Sequence, residues 1–146
     1  MPNDKVGASA RRPRPRRDDE RSDARERALT ILYEAHSKRI APSEALGALV
    51  IGPDVFTSRL VLGVEAESER FDALIREHSK NWSLERMPVL DVTILRIALF
   101  ELSSEADTPT AVIINEAVEL AKRFSTDDSG KFVNGMLSAI APQLRA

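Results

Sequence analysis

The stretch from Pro88 to Ser103 constrains this 146-residue chain most. Val89, Leu90, Val92, Ile94, Leu95, Ile97, Ala98, Leu99, Phe100 and Leu102 leave a helix built from it almost no polar side. A helix that is apolar nearly all round must be covered on most sides, so the rest of the chain has to wrap it. It is no membrane span, being shorter than the ~20 residues a bilayer needs and interrupted by Asp91, Arg96 and Glu101. Pro88 suits the start of such a helix, where its missing N–H is no loss. Arg96 lies inside the apolar pattern and needs a carboxylate, since an unpaired buried charge costs several kcal/mol. Glu116 or Glu119 of the following helix is the expected partner.

The wrapping elements are helical too. A helix is predicted from about Ser22, capped by Ser22 or Asp23, with Ala24, Ala28, Ile31, Leu32 and Ala35 buried, Arg25 near its entrance and Tyr33 on its flank. Pro42-Ser43 opens a second through Val50, with Ala45, Leu46 and Leu49 facing in, and Gly52-Pro53 ends it. A long third helix runs from about Asp54 to Ser79, and Trp82 to Met87 makes a short helical turn. No stretch alternates with period two, and Val112-Ile113-Ile114 lies within helical periodicity. The chain is therefore expected to be all-α, with about seven helices and short connections. The domain spans residues 21–146, and residues 1–20 form a disordered arm rich in arginine and proline.

Charge is divided unevenly. Residues 1–27 carry nine Lys/Arg and six Asp/Glu, a net of +3, and the remainder twelve and seventeen, a net of −5. A basic arm on an acidic body suggests a tail for polyanions and a body for something basic. Arg11, Arg12, Arg14, Arg16 and Arg17 either form a solvated tail or grip phosphates. Asp18, Asp19 and Glu20 follow at once and weaken the second reading. The N-terminus has no apolar signal segment, so a cytoplasmic location is expected.

Catalysis finds few materials. The chain has no cysteine and only His36 and His78 as imidazoles, far apart in sequence. Gly130-Lys131 fails as the end of a phosphate-binding P-loop: Ser125 stands where glycine is needed, Phe132 where serine or threonine is needed, and no strand precedes it. No nucleophile with an adjacent base can be assembled. No enzymatic activity, metal or cofactor is expected.

What chemistry there is gathers near the end, where a helix, a short break and a helix follow one another. Thr108 and Pro109 start the first, and Ile113, Ile114, Ala117, Leu120, Ala121 and Phe124 make its apolar stripe. The break STDDSG offers Asp127 or Asp128 as cap for the second helix, whose apolar positions are Phe132, Val133, Met136, Leu137 and Ile140. Two acids, Gly130, Lys131 and an exposable Phe132 in one break exceed what packing requires.

ARERALTILYE (residues 24–34), LRIALFEL (95–102), INEAVELAKRF (114–124) and FVNGML (132–137) resemble, in order and spacing, the NusB family of transcription antitermination factors. The resemblance covers roughly residues 22–142. It implies a compact helical domain of two packed bundles. It implies a factor that binds single-stranded boxA RNA together with ribosomal protein S10 (NusE), in antitermination complexes with RNA polymerase, notably on ribosomal RNA operons. Some members form homodimers. A homodimeric protein–protein adaptor with weak RNA binding is the alternative that the acidic body keeps open.

Carried over residue by residue, the resemblance implies RNA contacts by Arg25, Tyr33, Asp128, Lys131 and Phe132, and an S10 contact by Asp91. Phe132 can stack on an unstacked base, or it can be core. Asp128 can accept from a base edge, or only cap a helix. Tyr33 can line the site, or only pack. At the entrance to the first helix the sequence departs from the family: Ser22 and Asp23 stand where members often continue their arginines.

Overall fold

The computed structural model describes the backbone of residues 16–145 and the side chains of residues 19–145. Its described elements are six α-helices and one 3₁₀ turn: α1 (Arg16–Lys38), α2 (Pro42–Gly47), α3 (Val55–His78), the turn Leu84–Arg86, α4 (Val89–Ser104), α5 (Thr110–Phe124) and α6 (Asp127–Leu144). No strand occurs among the described residues. The expected arm falls largely outside them, but its last residues, from Arg16 onward, already belong to α1. Ser22 and Asp23 therefore cap nothing. Ser22 instead sends its hydroxyl to Glu116 Oε1, 2.6 Å away.

α4 is the hub, touching α1, α3, α5 and α6. Eleven of its residues are buried, as a helix without a polar side demands. Helices α1–α3 form one layer of the wrapping and α5–α6 the other. The stripe Ala24, Ala28, Ile31, Leu32 and Ala35 faces this core, joined by Leu29. Gly63 permits the close approach of α3 to α4. A Cβ there would lie 2.1 Å from the Phe100 ring, so only glycine admits that ring against the α3 backbone.

Several local expectations are corrected. Arg96 pairs with Asp72 of α3 through two hydrogen bonds of 2.8 and 2.9 Å, not with Glu116 or Glu119. Arg96 is half-buried on the α3 side of α4, while Glu116 is taken by α1. α2 stops at Gly47, so Leu49 is exposed rather than inward-facing. Thr108 does not cap α5, which starts behind Pro109 without a side-chain cap. The cap of α6 is Thr126, not Asp127 or Asp128: its hydroxyl accepts from Ser129 N at 3.0 Å. Both aspartates fall one step later, in the first turn, where they complement the helix dipole.

One tie had no sequence signal. Arg145, after the last helix, donates to the carbonyls of Leu102 (3.0 Å), Thr108 (2.6 Å) and Glu105 (2.8 Å). It thereby closes the end of α4 and the α4–α5 connection, whose carbonyls have no helical partner.

Candidate nucleic-acid interface

The site is built where α6 begins. Thr126 holds the Ser129 N–H, and the Ser129 hydroxyl donates to Asp91 Oδ2 at 2.9 Å while lying 2.9 Å from Ser125 Oγ. Asp91 sits in the first turn of α4 and is 1% exposed. The break is thus pinned from below by a buried carboxylate on the most buried helix. This corrects the expectation that Asp91 meets a partner protein: its carboxylate points into the fold.

Above this anchor, Asp128 and Lys131 are exposed, and Phe132 is half-buried. The Phe132 ring meets Trp82 edge-on, with centroids 4.9 Å apart and planes inclined by 69°. Trp82 remains 37% exposed and Phe124, at the end of α5, 38%. The Arg123 guanidinium lies 4.9 Å from the centre of the Phe124 ring. Phe124 is therefore a surface residue, although its spacing fits the apolar stripe. Gly130 lets Lys122 of α5 lie across the first turn of α6: a Cβ there would be 2.9 Å from Lys122 Cγ.

Tyr33 is exposed and belongs to this side of the molecule. Ser22, Glu26 and Tyr33 share one stripe of α1, by their spacing. The first two touch Glu116 and Arg123 of α5. α1 and α5 therefore run the same way along this seam, which leads past Glu26 and Arg123 to Tyr33 on one helix and to the break on the other.

Arg25 is not part of that surface. It is 3% exposed. Its Nε and Nη2 each donate to Glu101 at 2.8 Å, and its Nη1 approaches Glu116 at 3.4 Å. Burial disfavours its charge, but the hydrogen bonds and charges of Glu101 and Glu116 prevail and raise its pKa. Glu101 lies ten residues beyond Asp91 on α4, about 15 Å along the axis at 1.5 Å per residue. The expectation that Arg25 touches RNA phosphate is corrected accordingly: its donors serve an internal ion pair. Around it, the guanidinium groups of Arg21, Arg25 and Arg59 lie 4.4, 5.7 and 5.1 Å from the centre of the Phe56 ring.

No group of three or more potential metal ligands occurs among the described residues. No described helix is long and apolar enough to cross a membrane.

Fold and site together define an all-helical domain in which Lys131, Phe132 and Trp82 stand at the start of α6. Residues 22–142 match the NusB family, to which the chain belongs. Among curated relatives, the transcription antitermination protein NusB of Saccharopolyspora erythraea is 46% identical over 127 residues, covering 83% of this chain and 86% of its own. That of Lysinibacillus sphaericus is 40% identical over 124 residues, covering 84% and 98%. Among solved structures, T. maritima NusB superposes with a TM-score of 0.79 at 32% identity, covering 86% of this chain and 93% of its own. A crystal structure of antitermination factors NusB and NusE in complex with dsRNA gives a TM-score of 0.72 at 26% identity, covering 86% and 98%.

Proposed function

We propose that the protein is a transcription antitermination factor that binds boxA RNA together with ribosomal protein S10 (NusE), notably on ribosomal RNA operons. The observation that carries this is the start of α6 on a NusB scaffold: Lys131 exposed, Phe132 half-buried beside an exposed Trp82, and Tyr33 on the α1 stripe that leads there. The solved relative crystallised with NusE and dsRNA supports NusE and an RNA as the partners.

Each group has a physical task. Phe132 offers a ring on which an unpaired base can stack, worth about 1–3 kcal/mol. Lys131 supplies the cation for a neighbouring phosphate, and the N–H groups of Asp127 and Asp128, ahead of the Ser129 N–H that Thr126 holds, add donors that the helix itself does not use. Asp128, beside a polyanion, is suited to accept from a base edge rather than to meet phosphate. Asp91 is a positioning residue that holds the break through Ser129. The work is binding, with no chemical step, and places the protein in the cytoplasm with nascent RNA.

The test is retention of labelled boxA RNA by the purified protein, with and without S10, against a scrambled RNA of equal length. Preferential retention of boxA that strengthens with S10 is expected. Equal retention of both RNAs, with no S10 binding, would overturn the reading.

A further inference from the structure

We infer that the connection between α3 and α4, residues 80–86, forms a second half of the RNA site, with Trp82 as a second base platform and Lys80 and Arg86 as its phosphate contacts. The inference rests on the RNA reading above and extends its footprint: there Trp82 only stands beside Phe132, and Lys80 and Arg86 take no part.

Three observations support it. The first is the aromatic pair. Trp82 touches Phe132 with ring planes inclined by 69° and stays 37% exposed. Bases laid on both rings must be inclined to each other by a comparable angle. Neighbouring bases of a duplex are parallel, so only a single strand with its bases splayed can use both rings.

The second is charge. Most cations of α1, α3, α4 and α5 are neutralised by carboxylates, as with Arg25, Arg59, Arg96 and Arg123. Lys80, Arg86, Lys122 and Lys131 are exposed and make no ion pair among the described residues. Two of them flank Trp82 in the chain, and two lie on the facing turns of α5 and α6. Apart from Arg39 at the end of α1, the exposed cations without an ion pair among the described residues thus belong to the segments that carry or adjoin the aromatic pair. That favours a polyanion carrying flat rings, which is single-stranded nucleic acid, over a basic protein.

The third is preorganisation. Ser79 Oγ donates to the Trp82 carbonyl at 2.6 Å, and Arg76 binds Glu85 at 2.8 Å, so both ends of the segment are fastened. A platform held before binding loses little entropy when a base arrives.

Trp82 is the only tryptophan of the chain, so its emission reports on this segment alone. The experiment titrates the full-length protein with a short single-stranded boxA RNA and follows Trp82 fluorescence beside the anisotropy of an end label on the RNA. Quenching that saturates with the same Kd as the anisotropy is expected, and the duplex form of the same RNA leaves the emission unmoved. Trp82→Leu keeps apolar bulk against Phe132 but removes the π-face, and is expected to weaken binding roughly five-fold or more. Lys80→Ala with Arg86→Ala leaves the packing intact and is expected to flatten the slope of log K against log salt by about 1.4, at ~0.7 per phosphate contact on a single strand.

RNA held by anisotropy without any change in Trp82 emission or in the salt slope would overturn the inference and leave the RNA reading standing. Emission that responds to S10 and not to RNA would assign the segment to the protein partner, and overturn it also. No RNA retained at all would remove both.

Discussion

Arg25 grips Glu101 through two hydrogen bonds of 2.8 Å, Nε to Oε2 and Nη2 to Oε1, and the two side chains are 3% and 1% exposed. An arginine on α1 and a glutamate on the hub helix thus neutralise each other inside the fold. Removing one partner leaves the other charge buried and unpaired, at a cost of about 3–5 kcal/mol. Arg25→Ala is expected to lose stability on that scale in urea melts. Arg25→Lys is expected to recover only part of it, because an ammonium cannot reproduce the two-pronged contact. Boxa affinity per folded molecule is expected to stay near the wild-type value. A large loss of affinity at unchanged stability would show that Arg25 does reach the RNA.

Asp91 and Ser129 extend the same logic to the break. Ser129→Ala leaves the buried Asp91 carboxylate without its hydrogen bond, which costs about 1–3 kcal/mol, and loosens the turn that presents Lys131 and Phe132. Lower melting temperature together with weaker RNA binding is expected. Asp91→Asn keeps an acceptor for the Ser129 hydroxyl and is expected to leave S10 binding unchanged. A clear loss of S10 affinity in that variant, with the melt unaltered, would restore Asp91 to the partner surface.

The fold was legible wherever periodicity decided it. The run from Val89 to Leu102 could only be a covered helix, and the elements around it follow from their stripes. The partners of charges were not legible. Arg96 chose Asp72, twenty-four residues back, because the facing of α3 and α4 depends on how both roll on the core, which no local spacing states. The resemblance drew attention to Arg25 and Asp91, but residue type alone does not separate a charge that meets a ligand from one that meets another charge inside. By sequence, Trp82 is only part of a short turn. Its meeting with Phe132, fifty residues on, is tertiary, and its partial exposure has no trace in a hydropathy pattern. Phe124 shows the converse: it keeps the helical spacing of a core stripe but falls at the last residue of α5, beyond the cover of its neighbours.

Phe132 stands between core and surface, and its truncation should register on both. Fully buried phenylalanines cost about 3–5 kcal/mol when cut to alanine. Phe132 is half-buried, so Phe132→Ala is expected to cost about 1–3 kcal/mol, including the edge-to-face contact with Trp82. RNA binding is expected to weaken by a further ~1–3 kcal/mol from lost stacking. Thermal melts and RNA titrations on the same preparation separate the two. Lys131→Ala serves as the control, with weaker binding, a shallower salt dependence and an unchanged melt.

Asp54 gives the fold a dependence on acid. It caps α3, accepting from Thr57 N at 3.1 Å and Thr57 Oγ1 at 2.6 Å, and it pairs with Arg27. Burial pushes its pKa up, but the bonds from Thr57 and Arg27 outweigh this and lower it from 3.8 to about 2. A carboxyl whose folded pKa lies below its unfolded value binds its proton more readily in the unfolded chain. The stability it adds is therefore fully present above pH 3.8 and lost as the pH falls toward about 2. Asp54→Asn keeps a good cap but has no charge for Arg27 and nothing to titrate. The stability difference between wild type and Asp54→Asn is expected to be constant from neutral pH down to about pH 4 and to shrink toward zero between there and pH 2. Because Asp54 is well exposed, solvent screening keeps that difference small, and paired melts across the range are the measurement. A difference that grows as acid is added would mean that the cap is not charged in the native state.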